Sequence, residues 1–226
     1  MRTTPCLLLA ACATTAPAGT TLIDETRVLN LFAQGNSDLG GDQNSALAFG
    51  ADSNDDPFVP WFVSDSVSAS GAQSAIATAS AQFMMDIDPR RFAVQGNLSG
   101  SATILDETGH EAEGSASAMM QVRFSTDHAA QWQLVSLASG NAFVTLISGA
   151  AGPQIFAAGP GITDQTYLLG PGEYTLTFSA AAAAITFGVG TVQAESALNA
   201  TFAMVPAPAT TVLLALAPPL IRRRRS

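Results

Sequence analysis

The side chains here that could do chemistry are two histidines, a few clustered acids and two tryptophans. His128 directly follows Asp127, and a carboxylate beside an imidazole can orient it for proton transfer. Adjacent residues just after a strand read more simply as surface groups. Glu107 and His110 have Glu-x-x-His spacing, but they fall in a polar stretch rather than on a helix. No second such pair exists, so no transition-metal centre is expected. Asp86, Asp88 and Glu107 supply carboxylates; a glycosidase needs two of them about 5–10 Å apart across a cleft, which nothing in the pattern provides. No Gly-x-Ser-x-Gly elbow, phosphate loop or dinucleotide fingerprint is present.

No cofactor is expected, and calcium is the best of the weak options. Asp38, Asp42 and the run Asp52-Ser53-Asn54-Asp55-Asp56 offer oxygen donors suited to a hard cation. Asp52, Asn54 and Asp56 have the spacing that opens an EF-hand loop. Pro57 stands where that loop needs Gly, and Val63 stands where it needs its final Glu, so a solvated polar loop is the simpler reading. Trp61 and Trp132 are the candidate carbohydrate contacts, because an indole face can stack on a sugar ring. Trp132 shares a strand face with Leu134, which favours core packing.

The elements that would carry these residues are strands. From Ser74 to Ile87 one face reads Ala75, Ala77, Ala79, Ala81, Phe83, Met85, Ile87, and the other is mostly Ser, Thr, Gln and Asp. From Arg91 to Ile104 the apolar face is Phe92, Val94, Gly96, Leu98, Gly100, Ala102, Ile104. From Glu113 to Thr126 it is Gly114, Ala116, Ala118, Met120, Val122, Phe124. Strict alternation over such lengths predicts three long strands with one buried face each. Asp88-Pro89-Arg90 and Asp106 to His110 supply turns, so an antiparallel meander is the simplest arrangement.

Shorter strands are predicted at Gln131–Leu137, Ala142–Ile147, Gln165–Leu169, Glu173–Ser179, Ala184–Val189 and Ala197–Met204, with one or two more in Thr21–Ala33 and another in Phe58–Ser68. Gly35 to Asp56 has no periodicity and reads as a long exposed loop. Roughly ten strands at short spacing predict an all-β fold, an antiparallel β-sandwich or jelly-roll-like single domain over 19–204.

The chain has no lysine. Between residues 19 and 204 lie four arginines and all 18 acidic residues, a formal charge of −14. Such a surface repels nucleic acid, whose binding depends on neutralising phosphates. It suits solubility or divalent-cation association.

Both ends carry targeting patterns. Met1-Arg2, the apolar run Cys6 to Ala13 and Ala16-Pro17-Ala18 form a short signal peptide over 1–18. Leu9-Ala10-Ala11-Cys12 also has lipobox form, in which Cys12 would carry lipid. Both cysteines lie in this leader, so no disulfide framework is expected in the domain.

At the other end, Val205-Pro206-Ala207-Pro208-Ala209 precedes the apolar segment 210–221 and then Arg222-Arg223-Arg224-Arg225. Four arginines act as a stop on the cytoplasmic side of a membrane. The apolar segment is short for a spanning helix, which needs about 20 residues, and Pro218-Pro219 interrupts it. It suits a transient anchor. An unprocessed tail anchor is the alternative.

This tail resembles the PEP-CTERM class of bacterial sorting signals, whose pattern is Val-Pro-Glu-Pro, a short hydrophobic helix and a terminal arginine run. Ala207 stands where that pattern has Glu. The resemblance covers about the last 22 residues. It implies an exosortase-like membrane protease as partner, cutting near Pro206 to Pro208, and a domain then released or joined to a surface component. The stretch Leu168 to Phe178, with Leu169-Gly170-Pro171-Gly172-Glu173-Tyr174, resembles the penultimate hairpin of small exported bacterial sandwich modules. It implies that Tyr174, Leu176 and Phe178 face the core.

The expected protein is therefore exported, transiently anchored in the inner membrane and destined for the cell surface or exterior. It is expected to be non-enzymatic and to serve in an extracellular matrix, in adhesion or as a coat. A carbohydrate-binding β-sandwich module that meets extracellular polysaccharide is the second reading, and an enzyme on this fold the third.

Overall fold

The computed structural model describes residues 19–37, 44–50, 60–70, 75–105 and 110–206. Its strands, in chain order, are β1 (Thr20–Ser37), β2 (Asn44–Gly50), β3 (Trp61–Ser70), β4 (Ala75–Asp88), β5 (Arg91–Ile104), β6 (His110–Thr126), β7 (Ala130–Ser139), β8 (Asn141–Ser148), β9 (Gln154–Ala158), β10 (Gly161–Leu169), β11 (Gly172–Thr186) and β12 (Gly190–Met204). They form two antiparallel six-stranded sheets packed face to face. The first has the order β2-β1-β6-β11-β8-β9 and the second β10-β7-β12-β5-β4-β3.

The alternation read from the sequence holds in the long strands. Ala75, Ala77, Ala79, Ala81, Phe83, Met85 and Ile87 all point into the core, as do Phe92, Val94, Leu98, Ala102 and Ile104 opposite them. The meander is only partly right. β3, β4 and β5 are successive neighbours, but β6 crosses to the facing sheet and lies between β1 and β11. Alternation specifies a buried face without specifying which sheet supplies it.

Two other expectations are corrected, one strand runs longer than expected and one strand was not foreseen. Thr21–Ala33 is one strand extended to Ser37. The stretch 35–56 is not all loop, since it contains β2. Gln154–Ala158 forms a strand, β9. Residues 173–179 and 184–189 do not form two strands: Glu173–Ser179 continues through the alanine run to Thr186.

That alanine run shows tertiary context overriding helix propensity. Ala180, Ala182 and Ala184 are buried and pair with Ala118, Ala116 and Gly114 of β6. At this level the two sheets leave room for little more than a methyl group. A Cβ placed on Gly100 of β5 would come within 2.1 Å of the carbonyl oxygen of Gly114 in the opposing sheet. One on Gly114 would come within 2.2 Å of the Thr78 carbonyl oxygen and 2.5 Å of that of Ser101. Packed sheets ordinarily stand about 10 Å apart; here their backbones touch. The core around this contact is Ala33, Ala69, Ala75, Ala77, Ala102, Ala112, Ala184 and one larger residue, Ile104.

Toward the other end the sandwich thickens and large rings fill it. Trp132 stacks on Phe202 at 5.0 Å and on Phe92 at 5.8 Å between centroids, with Phe124 tilted against it at 5.4 Å. Each such ring contributes about 1.5–3 kcal/mol by leaving water. Tyr174, Leu176 and Phe178 are buried, as the hairpin resemblance implies. Within β4 and β5, Phe83 lies across from Gly96, and its ring fills the space that a side chain on Gly96 would need.

A bulge in β1, between Leu22 and Asp24, changes which residues face inward. It sends Glu25 and Arg27 to the core side, where both are buried and paired with each other. The Arg27 guanidinium lies 5.9 Å from the ring centroid of Trp61 on β3 and so bridges the two sheets. A desolvated cation over an indole face contributes roughly 2 kcal/mol.

Two outcomes follow. Gly114→Ala should lower stability by about 3 kcal/mol or more in urea unfolding, since backbone must move, whereas Gly170→Ala, with nothing within 4 Å of its added carbon, should stay within about 0.5 kcal/mol. Arg27→Met should lower stability by about 3–5 kcal/mol by removing the cation beside a buried carboxylate, and adding Glu25→Gln should recover part of that loss.

Candidate functional site

The chemistry suggested by single residues does not assemble. Trp132 is completely buried, and its ring faces meet Phe92 and Phe202. Trp61 is also in the core, with Arg27 against it. Neither indole presents an open face to a sugar, which corrects their reading as carbohydrate contacts. Asp86 accepts a hydrogen bond from Arg91 at 3.0 Å across the β4–β5 hairpin, and Asp88 caps the turn by accepting from the Arg90 backbone N–H at 2.9 Å. Both carboxylates therefore have structural roles.

Asp127 and His128 do meet, with Nδ1 of His128 2.8 Å from Oδ1 of Asp127. They sit on the exposed turn after β6, open to water. The hydrogen bond from His128 holds the Asp127 carboxyl below its ordinary range; desolvation opposes this, and the Gly19 backbone N–H, donating at 2.6 Å, reinforces it. The pair ties the start of the domain to the end of β6.

Among the described residues no three His, Cys, Asp or Glu side chains come together as a metal group. Asp38, Asp42 and Asp52 to Asp56 lie outside the described residues, as do Cys12, Glu107, Ala207, Pro208 and Arg222 to Arg225. Val205 and Pro206 are described. They follow β12 directly, and the Val205 N–H donates to the Gln131 carbonyl at 2.8 Å.

Among the described residues a concave surface lies elsewhere, on the solvent face of the second sheet. Period-2 alternation turns Phe62, Ser64 and Ser66 of β3 outward, with Ser80, Gln82 and Met84 of β4 and Gln95, Asn97 and Ser99 of β5. Antiparallel register aligns these into rows across the strands. One row runs Ser64, Gln82, Asn97, Ala197, Ser139, and a second runs Ser66, Ser80, Ser99, Glu195. A third crosses all six strands as Phe62, Met84, Gln95, Asn199, Leu137, Ile162. The Ser80 and Ser99 hydroxyls bond each other at 2.8 Å.

The rows enclose three adjoining hollows. The largest, about 630 Å³, lies over the two serine-rich rows with Asp65 and Glu195 at its margins. A second of about 310 Å³ is lined by Gln95, Asn97, Leu137 and Asn199, and a third of about 140 Å³ by Phe62, Gln82, Met84, Gln95 and Asn97. Gln82, Gln95 and Asn97 are shared between hollows, so together these make one groove. Phe62 is 59% exposed beside it. The sequence held the signal for Phe62: the inward phase Trp61, Val63, Val67, Ala69 puts it on the opposite face from Trp61.

No family model matches the chain, and no curated protein matches it.

The Asp127 arrangement has a pH signature. Its contribution to stability should be complete above the ordinary carboxylate range and should disappear as pH falls through its lowered value. NMR titration should find this carboxyl below the ordinary aspartate range, and His128→Ala should move it upward.

Proposed function

We propose that this chain is an exported, surface-destined, non-enzymatic β-sandwich protein, delivered by a PEP-CTERM-like tail and serving in a matrix, in adhesion or in a coat. A signal peptide over 1–18 starts export. The tail over 205–226 holds the chain at the inner membrane until an exosortase-like protease cuts near Pro206 to Pro208. The acidic domain, with a formal charge of −14 over residues 19–204, has no use for nucleic acid.

The observation that carries this reading is where Gly19 and Val205 are held in the fold. Gly19 is held by Asp127, whose backbone N–H donates back to the Gly19 carbonyl at 3.2 Å. Val205 is held by Gln131, four residues further along the chain from Asp127. Gly19 and Val205 thus lie at the same end of the sandwich, the thick aromatic one. A leader and a sorting tail placed there can both engage one membrane without the domain having to turn over. The groove favours a binding role over catalysis, being lined mainly by amides and hydroxyls, with Asp65 and Glu195 as its only ionisable lining among the described residues.

Fractionation tests the proposal. The full-length chain should be found in the envelope or on the surface, and a version lacking 207–226, which keeps the Val205–Gln131 bond, should be released from the membrane. Mass spectrometry of the surface form should place its C-terminus near Pro206 to Pro208. An unchanged location after truncation, or a surface form intact through Ser226, overturns it.

A further inference from the structure

We infer that the groove on the solvent face of the second sheet binds an extended, uncharged polysaccharide, with Phe62 as its stacking platform. The inference deepens the surface role proposed above and rests on it for access to an external polymer.

The first argument is shape. The row from Phe62 to Ile162 crosses six hydrogen-bonded strands, a path of about 24 Å at ordinary strand spacing. The two smaller hollows lie along it from Phe62 to Leu137 and share Gln95 and Asn97, and the large hollow adjoins them over the neighbouring rows through Asn97 and Gln82. A linear polymer fits such a path better than a compact small molecule.

The second is chemistry. Gln82, Gln95, Asn97 and Asn199 each present a donor and an acceptor on one side chain. Sugar hydroxyls also donate and accept, so an amide floor can satisfy them in several registers. The C–H face of a pyranose is apolar, and an exposed aromatic ring gives it a dry surface. Phe62 supplies that ring at one shoulder, and Leu137 (57% exposed) and Ile162 (84% exposed) form an apolar opposite shoulder.

The third is charge. No ionisable side chain stands in the row from Phe62 to Ile162. Among the described residues, the charges next to it that stand outside an ion pair, Asp65 and Glu195 lining the large hollow and Asp164 beyond Val135, are acidic, and Arg91 is engaged by Asp86. A polyanion would be repelled. A peptide or a second copy of the chain would bury the amides against fewer polar partners than a sugar offers, at a cost for each amide left without a hydrogen bond.

Affinity electrophoresis of the full chain in mild detergent is the test, with hydroxyethylcellulose and galactomannan as neutral probes and alginate as the anionic one. At least one neutral polymer should retard the protein and alginate should not. Phe62→Ala should weaken that retardation by about tenfold, Phe62→Trp should preserve it, and Phe143→Ala, on the outer face of the other sheet, should leave it unchanged. Thermal melting reports whether each variant is folded. Indifference to both neutral probes, equal retardation by alginate, or a folded Phe62→Ala protein that binds normally overturns the inference. So does concentration-dependent self-association abolished by Phe62→Ala, which would assign the face to a second copy. Fractionation is read independently: a cytosolic location would sink the surface role even with sugar binding intact, and a surface location without binding would sink only the groove.

Discussion

The backbone contact between Gly100 and Gly114 governs the rest of the sandwich. Where two sheets touch main chain to main chain, side chains around the contact are held to methyl size, with Ile104 the one larger residue of that cluster. The alanines of β4, β6 and β11 follow from this constraint. So does the opposite end, because twisted sheets pinched at one level diverge at another, and the divergent space must be filled. Phe92, Phe124, Trp132 and Phe202 fill it. Small residues at one end and large rings at the other are two results of one geometric fact, and the chain needs no disulfide in the described domain to hold it.

This explains what was legible in the sequence. Strict alternation in 75–87, 92–104 and 114–124 identified both the strands and their buried faces, since one-sided burial has a period of two. Sheet membership was not legible, because β4, β5 and β6 carry the same small-residue pattern whichever sheet they join. β9 is five residues long and flanked by turn-forming residues, too short to register as periodic. Ala180 to Ala184 lacks polar partners to mark a face, so its strand identity comes from the tight space it occupies. The bulge before Asp24 hid Glu25 and Arg27, which strict alternation from Leu22 places outside.

The binding surface was hidden for a related reason. Tryptophans drew attention because large rings are the usual platforms, yet the thick end of the sandwich demands large rings and consumes them. Phe62 is exposed because its neighbour Trp61 took the inward position. Amides and hydroxyls on alternate residues look like ordinary solvated side chains in one dimension. Only the antiparallel register brings residues from β3, β4, β5, β12, β7 and β10 into a single transverse row.

The Val205–Gln131 hydrogen bond has its own consequence. The last rung of the second sheet is adjacent to Pro206, so no slack separates the folded domain from the stretch 205–208 proposed above as a sorting motif. Under the proposed processing, a protease drawing that stretch into an extended cleft would have to peel away Met204 and Val205, whose backbone N–H groups donate to the Arg90 and Gln131 carbonyls at 2.8 Å, at about 1 kcal/mol per rung. Severing the chain would then be coupled to fraying the sheet, and a nascent domain whose last strand has not yet zipped would yield that stretch more readily than a finished one.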